Sequence, residues 1–232
     1  MTSPIDGGEL AALFLRAAKG EAVGAELAGR LSSHLGSPVE GVILYGSLAR
    51  GRRDDHGDID ALLIADSAAI GIFGTSGQID LDLPLLAPSA LERAEAKDWI
   101  HIDGGRVLFD ATGEAQRLLD RAAMWRARGP ESWSNAARDR AATWCRRMCG
   151  RIASNLEGDP ALAALQAGTL RAELYESYFR ARGLWTRSAR DALTYWRAHD
   201  HVFADLVEDE ARAGDGEHRL DLLAAMVERV FE

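Results

Sequence analysis

The sequence predicts an α+β chain whose strand-bearing first half, residues 1–112, is followed by an all-helical second half, residues 113–232. Three observations carry this. Before residue 112, short apolar runs bounded by Gly, Pro and Asp mark strands. After it, apolar positions recur only at three- and four-residue spacing, the period of a helix. The 232 residues are 47% hydrophobic and 27% charged, too apolar for a disordered tail and too often interrupted by charge for a membrane span. The length accommodates one large domain or two small ones, and the change of period favours two packed layers of different type.

The elements follow in order. Leu10, Leu13, Phe14, Ala17, Ala18, Val23, Leu27 and Leu31 sit at helical spacing between Gly8 and about Leu35, with a break near Gly20. Val39 to Tyr45 is a compact apolar run that stops at Gly46, which marks a buried strand. Residues 48–57, LARGRRDDHG, are polar and form connecting chain after a single helical turn; Ile59 to Ala65 is the second strand. Residues 66–78 are small and Gly-rich, a connection into a third strand that begins at Ile79 and reads IDLDLPLL. Its first half alternates apolar and acidic, so Asp80 and Asp82 share a face. Pro84 places this strand at an edge, or ends it. Trp99 to Ile102 and Arg106 to Phe109 flank Asp103-Gly104-Gly105 and read as a short hairpin. Helices are expected over 118–126, 136–156, 161–182, 189–199 and 220–231, separated by Gly129-Pro130, Gly158-Asp159-Pro160, Gly183 and Gly214-Asp215-Gly216.

The chain carries 36 acidic and 27 basic residues, a net charge of −9, and residues 1–112 hold 17 of the acids against 9 bases. Nucleic-acid binding rests on Lys and Arg at the phosphates, so it is disfavoured here, whereas cationic partners are favoured. All the basic residues except Lys19 and Lys97 are arginines, interleaved with carboxylates rather than gathered in one run. Cys145 and Cys149, four apart in an expected helix and without CxxC spacing, read as half-buried residues of a reduced protein. The opening MTSPIDGGEL has no basic segment followed by an apolar core, so a cytoplasmic location is expected.

Residues 46–60 read GSLARGRRDDHGDID. A buried strand runs into Gly46-Ser47, and the next strand opens with Asp58-Ile59-Asp60, which puts both carboxylates on one side. Two such groups lie within about 7 Å of each other, and like charges that close need a cation or a proton. Magnesium suits them, since it takes oxygen ligands and binds through one or two carboxylates plus substrate phosphates. Gly46 allows close backbone approach, and Ser47 adds a hydroxyl and an amide that can donate to phosphate oxygens.

This stretch resembles the motif of the DNA polymerase β-like nucleotidyltransferase superfamily: an apolar strand, Gly-Ser, a loop, Asp-x-Asp in the next strand, and a third acidic residue on a later one. Gly46, Ser47, Ala49, Arg50, Gly51, Asp58 and Asp60 match the fuller form found in small adenylyltransferases, of the kanamycin (aminoglycoside) nucleotidyltransferase kind. Gly57 departs from it, because members commonly carry Ser there. The motif resemblance covers about residues 39–86, and a looser one extends through the helical half.

The resemblance implies a mixed sheet with flanking helices, as in a polymerase palm, followed by a helical, substrate-binding bundle. It also implies two magnesium ions, held by Asp58, Asp60 and a third carboxylate, with ATP or another nucleoside triphosphate as co-substrate. For that third carboxylate the family pattern fits Asp82 better than Asp80, whose role would then be a supporting partner or general base. Gly46, Ser47 and Arg50 would bind the triphosphate, with Arg52 or Arg53 as further contacts. Glu173 or Glu176 could serve as base, although both sit at positions that are usually exposed. The implied activity is transfer of a nucleoside monophosphate to a small-molecule hydroxyl, an aminoglycoside-like one being drawn to the acidic half. Modification of a partner protein and a catalytically inactive nucleotide-binding module are the alternatives, and a homodimer is compatible with each. His199-Asp200-His201 does not make a metal site, because adjacent helix residues do not face one another; a C-terminal capping role is expected.

Overall fold

Five strands, β1 (Val39–Leu44), β2 (Ile59–Ala65), β3 (Gly71–Ser76), β4 (Ile79–Leu86) and β5 (Arg106–Asp110), form one mixed sheet in the order β3-β4-β2-β1-β5. β1 runs antiparallel to β2 and β5, β3 antiparallel to β4, and β2 parallel to β4. These elements belong to a computed structural model that describes residues 3–18, 37–51, 58–67, 71–76, 79–214 and 216–232. The expected continuation of the first helix beyond Ala18 lies outside them.

The sheet is covered on both faces, which is why β1 and β2 read as unbroken apolar runs. Val42, Leu44, Ala61 and Leu63 pack on one side with Leu10 and Phe14 of the Gly7–Ala18 helix. Ile43, Leu62 and Ile64 pack on the other with Ala115, Leu118 and Ala122 of the Glu114–Arg128 helix. Gly41 makes this second contact close: a Cβ there would lie 3.0 Å from the Cβ of Ala115. The chain divides into two compact units, residues 1–128 and 129–232. The division falls later than the expected 112/113 because the Glu114–Arg128 helix supplies one wall of the sheet's core.

Three further expectations are corrected. The connection at 66–78 contains β3, an edge strand whose Phe73, Gly74 and Thr75 are exposed, so it lacks the apolar signal of a buried strand. β4 is consequently interior, although it contains Pro84. The parallel register with β2 is recorded at Asp60↔Asp82 and resumes at Leu63↔Leu85, stepping over the residue that has no N–H to donate. The expected hairpin has only one extended limb: Ala96–Trp99 and Ile100–Ile102 are helical turns, and β5 pairs with β1. Gly105 allows this return, since a Cβ there would lie 2.6 Å from the Leu44 carbonyl oxygen.

The second unit contains helices Asn135–Asn155, Pro160–Ala181, Ala189–His199, His201–Arg212 and Gly216–Phe231. Ser134, Asp159, Ser188 and Asp200 cap four of them through side-chain oxygens that accept backbone N–H bonds. The core is aromatic: Tyr178 lies 4.5 Å from Phe203 and 5.6 Å from Trp196, centroid to centroid. Asp200 is the C-cap of the Ala189–His199 helix, its N–H donating to the Trp196 carbonyl at 2.7 Å, and its side chain also caps the N-terminus of the His201–Arg212 helix, which the sequence did not announce. Cys145 is buried in this core and Cys149 is half-buried; neither forms a disulfide. Burial pushes the Cys145 thiol up to about 12, so it is a packing group rather than a nucleophile. Among the described residues no helix is long and apolar enough to cross a membrane.

Candidate active site

The site is built where β1 ends. Tyr45 donates its backbone N–H to the Asp60 carbonyl at 2.9 Å, extending the β1–β2 pairing by one residue. Gly46 then adopts φ +67°, a left-handed conformation that turns the chain into the short helical turn Gly46–Ala49. A Cβ on Gly46 would lie 1.8 Å from Oδ2 of Asp60, so the glycine backbone packs directly against that carboxylate. Next to it, the Ser47 hydroxyl donates to Asp58 Oδ1 at 3.4 Å.

Asp58 and Asp60 share a face by strand alternation. Asp60 also stands opposite Asp82 in the parallel ladder between β2 and β4. Asp80, on the same face of β4, is turned to the other neighbour: it pairs with Thr75 of β3 and accepts that residue's hydroxyl at 2.9 Å. Asp58 and Asp82 are exposed and Asp60 is half-buried.

The electrostatics report the crowding. Desolvation, with the charges of Asp58 and Asp82, pushes the Asp60 carboxyl up to about 6, and Arg50 opposes the shift. Burial, then Asp82 and Asp60, raises the Tyr45 phenol well above its ordinary value. The Tyr45 ring meets His101 edge-on at 4.9 Å, and Trp99 lies 5.8 Å from His101. Desolvation holds the His101 imidazole below its usual range, against an opposing pull from Asp82. Tyr45 and His101 were not singled out in the sequence. Tyr45 could have been, as the polar-tipped last residue before Gly46; His101 is brought here by the turn that the sequence disguises as a hairpin.

The first unit thus gathers Gly46, Ser47, Arg50, Asp58, Asp60 and Asp82. Arg52, Arg53 and Gly57 lie outside the described residues. Glu173 and Glu176 belong to the second unit, where Glu173 accepts the Ser177 hydroxyl at 3.1 Å and Glu176 is exposed. His199 packs against the Tyr195 ring at 4.5 Å. Among the described residues no three His, Cys, Asp or Glu side chains stand gathered as a finished metal cage. Magnesium requires none: it keeps several waters and completes its shell with one or two carboxylates and substrate phosphates. An all-oxygen donor set whose central member is strained by like charge fits that ion.

No family model matches the chain, and no curated protein matches it. Among solved structures it is similar to a nucleotidyltransferase-like protein from Exiguobacterium sibiricum, at 15% identity and a TM-score of 0.46, over 83% of this chain and 68% of that one.

Proposed function

We propose that the protein is a nucleotidyltransferase that moves a nucleoside monophosphate, AMP from ATP, onto a hydroxyl of a small molecule and releases pyrophosphate. The observation that carries this is the pairing of Asp60 with Asp82, with Gly46 packed against the Asp60 carboxylate. The motif resemblance and the spacing of the carboxylates support the same reading.

Asp58, Asp60 and Asp82 would hold magnesium, which when bound offsets phosphate charge and stabilises the entering and leaving oxygens of an in-line displacement. The side-chain-free Gly46 lets a phosphate approach the backbone, and Ser47 offers a hydroxyl and an amide to its oxygens. Arg50, near enough to lower the Asp60 pKa, adds a guanidinium for the triphosphate. The acceptor hydroxyl gives up its proton to solvent, its oxygen forms the new bond at the α-phosphorus while the bond to the bridging oxygen breaks, and pyrophosphate leaves with the electron pair. A cationic aminosugar is the favoured acceptor class, since most of the net acid lies in this half of the chain.

The test is direct. The protein is incubated with magnesium, ATP labelled at the α-phosphate, and a panel of aminoglycosides and neutral polyols. Label on an acceptor, matched by pyrophosphate, is expected. If neither an acceptor nor the protein takes up label from any of the common nucleoside triphosphates, the reading is abandoned.

A further inference from the structure

The Asn135–Asn155 helix divides its side chains into two sets. Ala142, Cys145, Met148 and Ile152 face the core of the second unit. Two arginines tie the helix to that unit: Arg138 donates to the Phe231 carbonyl at 2.8 Å, and Arg146 makes a two-pronged pair with Glu228 at 2.8 Å. Arg140, Trp144, Arg147 and Arg151 lie on another face at spacings of four, three and four, and all are exposed. Among the described residues, none of those three arginines has an ion-pair partner, and the Trp144 ring packs on no other ring. Trp144 is 38% exposed, whereas Trp196 in the core of the same unit is 4% exposed. Arg140, Thr143, Trp144 and Arg147, with Asp139, line a shallow cleft of about 390 Å³.

For the isolated helix this face is poorly arranged. Arg147 and Arg151 are like charges one turn apart, and over a third of the Trp144 surface stays in water. A partner would resolve both. Trp and Arg are the residue types that dominate binding hot spots, particularly an aromatic ring set among charges it can desolvate.

We infer that this face is a docking surface for an acidic, amphipathic protein segment: an apolar side chain over Trp144, with carboxylates reaching Arg140 and Arg147. Those two arginines are seven residues apart, about 10 Å along the helix, which matches carboxylates two turns apart on a facing helix. Charge complementarity selects this occupant. A second copy of the same face would set arginine against arginine. A nucleic acid would meet only three unpartnered arginines, with the Asp139 carboxylate in the same cleft.

The test uses the full chain and a synthetic helical peptide with two glutamates, two turns apart, flanking a leucine; a control peptide carries lysines instead. Titration calorimetry should show saturable binding of the glutamate peptide only, weakened by salt. Trp144→Ala and the double change Arg140→Glu with Arg147→Glu should each weaken it by about ten-fold or more. The double variant should gain binding to the lysine peptide. All these positions are exposed, so melting temperatures should match the wild type. The inference is overturned if the wild type fails to bind the glutamate peptide, or if the double variant binds it equally well. It is also overturned if a single-stranded RNA of similar length binds this face more tightly, or if sedimentation shows a dimer that Trp144→Ala dissociates.

Discussion

Asp60 and Asp82 face one another across a parallel pair of strands. Partial burial first, then the charges of Asp58 and Asp82, push the Asp60 carboxyl up from 3.8 to about 6. Its folded pKa lies above its unfolded value, so the stability it contributes is complete below about pH 3.8 and is lost as pH rises through 6. Above that, ionised Asp60 destabilises the metal-free fold. Asp60→Asn should therefore raise the melting temperature at pH 8, give little gain at pH 4, and abolish nucleotidyl transfer. A variant no more stable than wild type at pH 8 would refute the electrostatic account.

The two acids of β4 should behave differently. Asp82 is in register with Asp60, whereas Asp80 is bonded to the Thr75 hydroxyl on the far side of the strand. Asp82→Asn should lower kcat by two orders of magnitude or more, in line with loss of a group that acts on developing charge. Asp80→Asn should retain most of the activity. The reverse result in a single-turnover assay would make Asp80 the third ligand.

Gly46→Ala tests the backbone. The new methyl would stand 1.8 Å from Oδ2 of Asp60 at a φ of +67°. The left-handed conformation alone costs an alanine roughly 1 kcal/mol, and the carboxylate must move as well. A folded protein with raised KM for the nucleotide and reduced kcat is expected. Wild-type kinetics would show that Asp60 need not sit where it does.

What could be read from the chain follows from where the signal resides. β1, β2 and the Gly46-Ser47 to Asp58-Asp60 interval were legible because a sheet buried on both faces writes contiguous apolar runs, and the motif sits in the turn joining two of them. β3 was not, because at the sheet edge Ile72 is buried alone while Phe73, Gly74 and Thr75 are exposed, too little to write an apolar run. The Trp99–Ile102 run looked extended because its apolar residues pack around Tyr45 and Leu118 rather than along a strand. His101 entered the site by that route, a tertiary event with no local trace. The Glu114–Arg128 helix shows its period in the sequence, but nothing in it says that Ala115 will meet Gly41, which is what moves the boundary to Arg128.

Asp200 anchors the second unit, and its removal should be the most damaging single change there. The residue is 6% exposed. It accepts the Tyr178 hydroxyl at 3.0 Å, Arg229 Nη2 at 3.0 Å and the Phe203 backbone N–H at 3.2 Å, with Arg182 at 3.8 Å. Burial alone would raise its pKa, but the Arg229, Phe203 and Tyr178 hydrogen bonds together hold it below the usual carboxylate range. Its stabilising contribution is therefore present above the unfolded carboxylate pKa and is lost as pH falls through the lower folded value. Asp200→Ala leaves the buried Tyr178 hydroxyl without its acceptor, removes one of the two carboxylates that pair with Arg229, the other being Glu232, and uncaps a helix, a cost of about 2–4 kcal/mol. Asp200→Asn keeps the cap and most of the geometry but not the charge, and should cost less. Urea titrations at pH 7 and pH 3 separate these contributions. The wild type should lose stability between the two conditions more steeply than either variant, and a pH profile shared by all three proteins would show that the buried charge contributes nothing.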